Sequence, residues 1–234
     1  MKISAFVLSS ALSAAAAAHD LWLEPEGDGY LLLQGHRHSA HAGQDLVPYT
    51  ADFLRSAHCT DRQGATRELP VSVGYPARLP GDCAVLNLSA SSGDWTKTVY
   101  GTRNQPPAGL SGVVDSWRAL EGIKLLTAWA PALRQPLGAM LELSPQHDPF
   151  ALQPGDKLRL LVSYRGQPQA GVTVAYDGAP RGVTGDDGRI NLRIRHPGRQ
   201  LVTASFAASL PDGPVAQVVH ATALQFDLPE GPAR

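Results

Sequence analysis

Apolar and polar residues alternate through most of the second half of the chain. Ile190, Leu192 and Ile194 are interleaved with Asn191, Arg193 and Arg195, the period of two that marks a strand with one buried face. Lys157–Tyr164 (KLRLLVSY) and Val172–Tyr176 (VTVAY) read as strands too, as do Leu201–Phe206 and a last segment from about Val215 to Leu228. The turn residues Arg165-Gly166-Gln167-Pro168 and His196-Pro197-Gly198 punctuate them. Asp186-Asp187-Gly188 predicts a tight hairpin, because its residues tolerate positive φ. As a calcium loop it falls short, since two carboxylates cannot supply the six to eight oxygens that calcium takes. Short strands at this spacing predict a β-sandwich beginning at residue 144.

The first half also reads as strands. Leu21 and Leu23 lead into a turn at Glu26-Gly27-Asp28-Gly29, and Tyr30–Leu33 returns. Further strands are predicted at Leu69–Tyr75, Ala84–Ser89, Thr96–Tyr100 and Leu137–Leu143, with 103–114 as a loop around Pro106-Pro107. Asp115–Trp129 fits two periods. Trp117, Leu120 and Lys124 suit one face of a helix, while Ile123, Leu125 and Thr127 suit a strand. The expected fold is all-β, with two consecutive β-sandwich-like domains at 19–143 and 144–234.

Composition narrows the function classes. The 234 residues include 20 basic and 21 acidic side chains, a formal charge of -1, and no basic block of the kind that grips nucleic acid. At 43% hydrophobic the chain is too apolar for disorder. Its 23 glycines and 19 prolines favour many turns over long helices.

Residues 1–18 read as a signal peptide. Met1-Lys2 carries one positive charge, 3–12 are apolar, and Ala16-Ala17-Ala18 fits the small-x-small cleavage pattern. The apolar stretch is too short to span a hydrocarbon core of roughly 30 Å. Cleavage after Ala18 would release a soluble periplasmic or secreted protein beginning at His19, with no direct membrane insertion. Cys59 and Cys83, the two cysteines, are then expected to form a structural disulfide. A loop of that size would stabilise the fold by about 3 kcal/mol. A thiolate metal pair is the alternative, but C-x-x-C spacing is absent.

Histidines carry the candidate chemistry. Four of the eight fall between residues 19 and 41: His19, His36, His38 and His41. The run Gly35-His36-Arg37-His38-Ser39-Ala40-His41 is dense in imidazoles, which suit nickel, cobalt, copper and zinc. Once the signal peptide is removed, the α-amine and Nδ1 of His19 can chelate one ion together. If Tyr30–Leu33 pairs with Leu21–Leu23, His36 comes within reach of that N-terminus. The metal set read from the sequence is therefore His19, His36, His38 and His41. The competing reading is an ordinary polar N-terminus and loop.

Several segments bring resemblances. Gly171–Phe206, with GVTV, TGDDGRINLRI and a following Pro-Gly, resembles the transthyretin-like, carboxypeptidase-regulatory type of immunoglobulin-like domain. That likeness implies an immunoglobulin-like sandwich for the second domain and no chemistry. HDLWLEP at His19, Gly35-His36, SWRALEGIK at Ser116–Lys124, DPFALQPGDKLR at Asp148–Arg159 and the final LQFDL make a second pattern. In that order they resemble the domain-of-unknown-function 4198 family along the whole mature chain. The family includes proteins described as periplasmic components associated with nickel and cobalt uptake transporters. The resemblance implies a divalent-metal role for His19 and the Gly35-His36 pair, with a membrane metal-uptake transporter as partner. His38 and His41 rest on local density alone.

Enzyme signatures are missing: there is no G-x-S-x-G elbow, Walker loop, dinucleotide fingerprint or H-E-x-x-H. The expected function is non-enzymatic binding of a divalent transition metal for uptake. Two alternatives are a metal-free structural or interaction module, and a copper site on His19 with oxidative activity.

Overall fold

The computed structural model describes residues 20–37, 46–71, 74–138 and 140–230. His19, His38 and His41 lie outside them. In chain order the first strands are β1 (Asp20–Glu26), β2 (Gly29–Gly35), β3 (Leu54–Thr60), β4 (Thr66–Leu69), β5 (Ala77–Pro80), β6 (Val85–Thr98), β7 (Gly101–Arg103) and β8 (Val113–Leu126). The rest are β9 (Leu141–Pro145), β10 (Lys157–Tyr164), β11 (Gln167–Pro168), β12 (Thr173–Tyr176), β13 (Ala179–Val183), β14 (Arg189–Arg193), β15 (Gly198–Ser209) and β16 (Gln217–Leu228). Among the described residues the only helical turns are short 3-10 segments at Pro131–Arg134 and Pro149–Ala151. The fold is all-β and sandwich-type.

One long sheet runs in the order β13-β12-β15-β16-β8-β6-β3-β4, with β7 alongside β6. Its neighbours are antiparallel except β16 and β8, which pair in parallel from Gln217↔Trp117 to Gln225↔Leu125. A small sheet, β1-β2-β5, covers one face, and β9, β10, β11 and β14 form a sheet on the other. Side-chain alternation divides the apolar residues between the two faces. Leu23, Leu32, Leu86, Ile123, Leu125 and Ala223 fill the core beneath the first small sheet. Leu126, Leu143, Leu160, Val174, Leu224 and Phe226 fill the other. The boundary expected between residues 143 and 144 falls inside β9, and hydrogen bonds of the long sheet join segments from either side of it.

Several elements differ from the sequence reading. Asp115–Trp129 is strand, and β8 extends it back to Val113. Ala84–Ser89 and Thr96–Tyr100 merge into the single strand β6. Of the predicted strand Leu69–Tyr75 the described residues keep only Leu69, where β4 stops, and β5 starts at Ala77; Pro70 and Pro76 cannot donate to a ladder. β9 begins at Leu141 rather than Leu137. The turn at Asp186-Asp187-Gly188 forms, with Gly188 at φ +71°, but it does not close a hairpin. β13 pairs with β12 in the long sheet, whereas β14 pairs with β10 in the facing one. It is a corner between sheets, which carries Leu192 into the core.

Cys59 at the end of β3 and Cys83 before β6 are disulfide-bonded, as expected, with Cα atoms 5.2 Å apart. Such bonds persist in oxidising compartments. No helix among the described residues is long and apolar enough to cross a membrane.

Candidate functional site

β1 and β2 form a regular hairpin, with partners running from Glu26↔Gly29 to Asp20↔Gly35. Its two-residue loop places Gly27 at φ +60°, a position where glycine relieves the strain a side chain would cause. After β2 the chain leaves at His36 and returns at Leu46, which bridges back to Gly35. Val47 N–H then donates to the Gln34 carbonyl at 2.8 Å. His36 thus stands where the chain leaves a strand end that it rejoins at Leu46.

His36 is half-buried at the start of that excursion. Next to it, Arg37 donates to Glu24 at 2.7 Å, and its guanidinium lies 5.5 Å from the Trp22 ring centroid. Arg199 on β15 donates to the same Glu24 oxygen, tying the hairpin to the long sheet. Burial alone would raise the Glu24 pKa, but hydrogen bonds from Arg199 and Arg37 outweigh it and hold the carboxyl below its ordinary value. The indole Nε1 of Trp22 is buried without a hydrogen-bond partner among the described residues. Cation, carboxylate and aromatic ring together fix where the chain exits β2.

The second anchor of the hairpin is Gln225 on β16. Its side chain accepts from Leu23 N–H at 2.9 Å and donates to the Leu23 carbonyl at 2.7 Å. A buried amide therefore stands in for a strand neighbour.

Other titratable groups are distributed through the fold. Glu121 on β8 shares the face of Ile123 and Leu125, towards the first small sheet. Burial pushes its pKa up to about 7, against one hydrogen bond from Ser92, and its Oε2 has no partner. Sequence reading missed it; the available signal was a lone carboxylate in the run Ala119-Leu120-Glu121-Gly122-Ile123. Lys124 pairs with Glu142 and reaches Ser144 at 3.2 Å, with Lys124 3% and Glu142 1% exposed. Burial lowers the Lys124 pKa, and the Glu142 charge opposes that shift. Glu142 also accepts from Leu137 N–H, at 2.8 and 3.0 Å, so the pair knits β8 to β9.

Of the remaining histidines, His58 lies on β3 and the other three come after β8 in the chain. His196 is held by the Pro197 carbonyl and by Asp177, which together raise its pKa. His220 is buried among Tyr164 and Phe206, and burial lowers its pKa. His147 is lowered chiefly by burial as well. Among the described residues, the one group of three potential ligands within reach of a common ion is Cys59, Asp82 and Cys83. Two of those are consumed by the disulfide. Of the four histidines expected to bind metal, His36 is the one the structure describes.

Fold and sheet order define an all-β sandwich protein built on one long mixed sheet. Residues 56–208 match the family model described as Domain of unknown function (DUF4198). The match covers more than half of the chain, and the protein belongs to that family. The matched range begins beyond the four N-terminal histidines. No curated protein and no solved structure matches the chain.

Proposed function

We propose that this protein, exported and cleaved after Ala18, binds a divalent transition ion through His19 and His36 and serves metal uptake at a membrane transporter. Nickel or cobalt is the favoured ion. The observation that carries the reading is the β1–β2 register. Asp20 stands opposite Gly35, so one further step along the ladder would set His19 opposite His36. Directly opposed residues have Cβ atoms about 4.5–5.5 Å apart, close enough for two imidazoles to share one ion. The free α-amine of His19 would add a third nitrogen. Alternation would turn both side chains to the face of Leu21 and Gln34.

His38 and His41, which follow His36 in the sequence, are the candidates to complete the set. Nitrogen donors of this kind suit late first-row divalent ions, with nickel and copper ahead of cobalt in intrinsic affinity. The disulfide supports an oxidising compartment, and family membership supports the resemblance from which the uptake role derives.

Titration calorimetry with nickel, on protein whose N-terminus is mapped by mass spectrometry, tests the reading. Protein beginning at His19 should bind one ion, and a form extended by one residue should bind it far more weakly. His36→Ala should weaken binding strongly, whereas His196→Ala should leave it unchanged. Equal affinity in all of these forms would sink the proposal.

A further inference from the structure

β6 and β8 are the longest strands, and they outrun their neighbours at one end. β3 covers β6 only from Val85 to Ala90, and β16 covers β8 only from Trp117 to Leu125. Beyond those limits β6 and β8 pair with each other from Thr96↔Ser116 to Thr98↔Val113, and β7 folds back along β6. The result is a narrow arm projecting from the long sheet. Trp95 and Trp117 stack across its base with ring centroids 6.4 Å apart, and Trp95 Nε1 donates to Ser92. The base is braced by Arg118, which donates to both oxygens of Asp94.

The tip of this arm is apolar and open to solvent. Val99 is 67% exposed, Tyr100 81%, Val113 42% and Val114 60%, half of the exposed large hydrophobic residues among those described. Val99 N–H donates to the Gly112 carbonyl at 2.9 Å, so both turns of chain meet at the same end. Between Trp95 and Val114 the charged residues are Lys97 and Arg103, both exposed and both basic, and Asp115 stands opposite Lys97 in the ladder. Neither makes an ion pair among the described residues. Four apolar side chains on a projecting end, beside two cations and the single carboxylate of Asp115, make a net positive tip that suits an anionic interface.

We infer that this arm docks on a bilayer surface containing anionic phospholipid, with Val99, Tyr100, Val113 and Val114 entering the headgroup region and Lys97 and Arg103 pairing with lipid phosphates. The small size of the tip favours lipid over a protein partner. A protein interface needs roughly 800 Å² of complementary surface per side, whereas a headgroup layer deforms around a small tip. Tyrosine suits this boundary because its ring is apolar and its hydroxyl wet. The inference stands apart from the metal reading, since it uses none of the histidines.

Co-sedimentation of the full mature chain with large vesicles tests it, comparing phosphatidylcholine alone with phosphatidylcholine plus phosphatidylglycerol. Wild-type protein should sediment with the anionic vesicles, and added salt should release it. Lys97→Ala with Arg103→Ala should weaken that binding by roughly fivefold for each cation removed. Tyr100→Ser with Val114→Ser should abolish it while leaving the melting temperature unchanged, because both residues are exposed. Val183→Ser, an exposed apolar residue on β13, should bind like wild type. No sedimentation of the wild type, or undiminished sedimentation of the tip variant, would overturn the inference. The former result would also leave the tip to a protein partner.

Discussion

The side-chain amide of Gln225 closes both backbone hydrogen bonds of Leu23, a residue 202 positions earlier in the chain. Each partner is fully buried. Leu23 sits on β1, where β2 satisfies one edge, and Gln225 supplies what the other edge would otherwise lack inside the core. Replacing Gln225 with leucine keeps bulk but strands a buried N–H and a buried carbonyl, at about 1–3 kcal/mol each. Urea unfolding of Gln225→Leu should therefore show a loss of about 2–6 kcal/mol. A loss under about 1 kcal/mol would mean that the hairpin docks by apolar contact alone.

Glu121 makes stability depend on pH in a stated direction. Its folded pKa is raised to about 7 from an ordinary 4.5, so the folded chain holds this proton more tightly than the unfolded one. Its contribution to stability is greatest below pH 4.5 and declines as pH rises through about 7. At 1.36 kcal/mol per pH unit the full effect is roughly 3 kcal/mol. Glu121→Gln should stabilise the protein by up to that amount at pH 8 and by little at pH 4.5. Melting curves at the two pH values check this, and an equal change at both would remove the carboxyl from the explanation.

The Lys124–Glu142 pair should show the asymmetry of buried ions. Lys124→Met leaves the Glu142 charge in the core without its counter-charge and should cost about 3–5 kcal/mol. Adding Glu142→Gln removes that charge while keeping an oxygen for Leu137 N–H. The double variant should regain most of the loss in a denaturant titration. A double variant no better than Lys124→Met would show that the ionic contact itself is what β9 needs.

Removing the disulfide should be felt globally. Cys59 and Cys83 are separated by 24 positions, and opening that loop in the unfolded chain costs about 3 kcal/mol of stability in the chain-entropy account. Cys59→Ala with Cys83→Ala should lower the unfolding midpoint accordingly, with the fold retained by circular dichroism.

Strands with one solvent face were legible in the sequence. β14 alternates Arg189, Asn191 and Arg193 with Ile190 and Leu192, and that pattern survives intact in its pairing with β10. β8 was left between helix and strand, because Trp117, Leu120 and Lys124 fall at helical spacing and, at the centre of the long sheet, Lys124 is buried like Ile123 and Leu125. β3 escaped notice for a different reason: Arg55, Ser56 and His58 dilute its apolar positions. The disulfide was readable from compartment and count. Pairing partners distant in sequence were not, since alternation says which face is buried and nothing about which strand lies alongside. The hairpin register at Asp20↔Gly35 agrees with the residue count from its turn. Glu121 was hidden because one carboxylate in an apolar strand carries no spacing to recognise.

The parallel seam between β8 and β16 has a consequence for how the chain comes to be folded. Synthesis delivers the N-terminus first, so β8 exists long before its partner, which starts at Gln217. Until then the Trp117–Leu125 edge offers unpaired amides and carbonyls to any extended segment nearby. Assembly of the sheet's middle is deferred to the last strand made. The nascent protein thus cannot close the middle of its long sheet until β16 is made, and its open edge is exposed to misjoining until then.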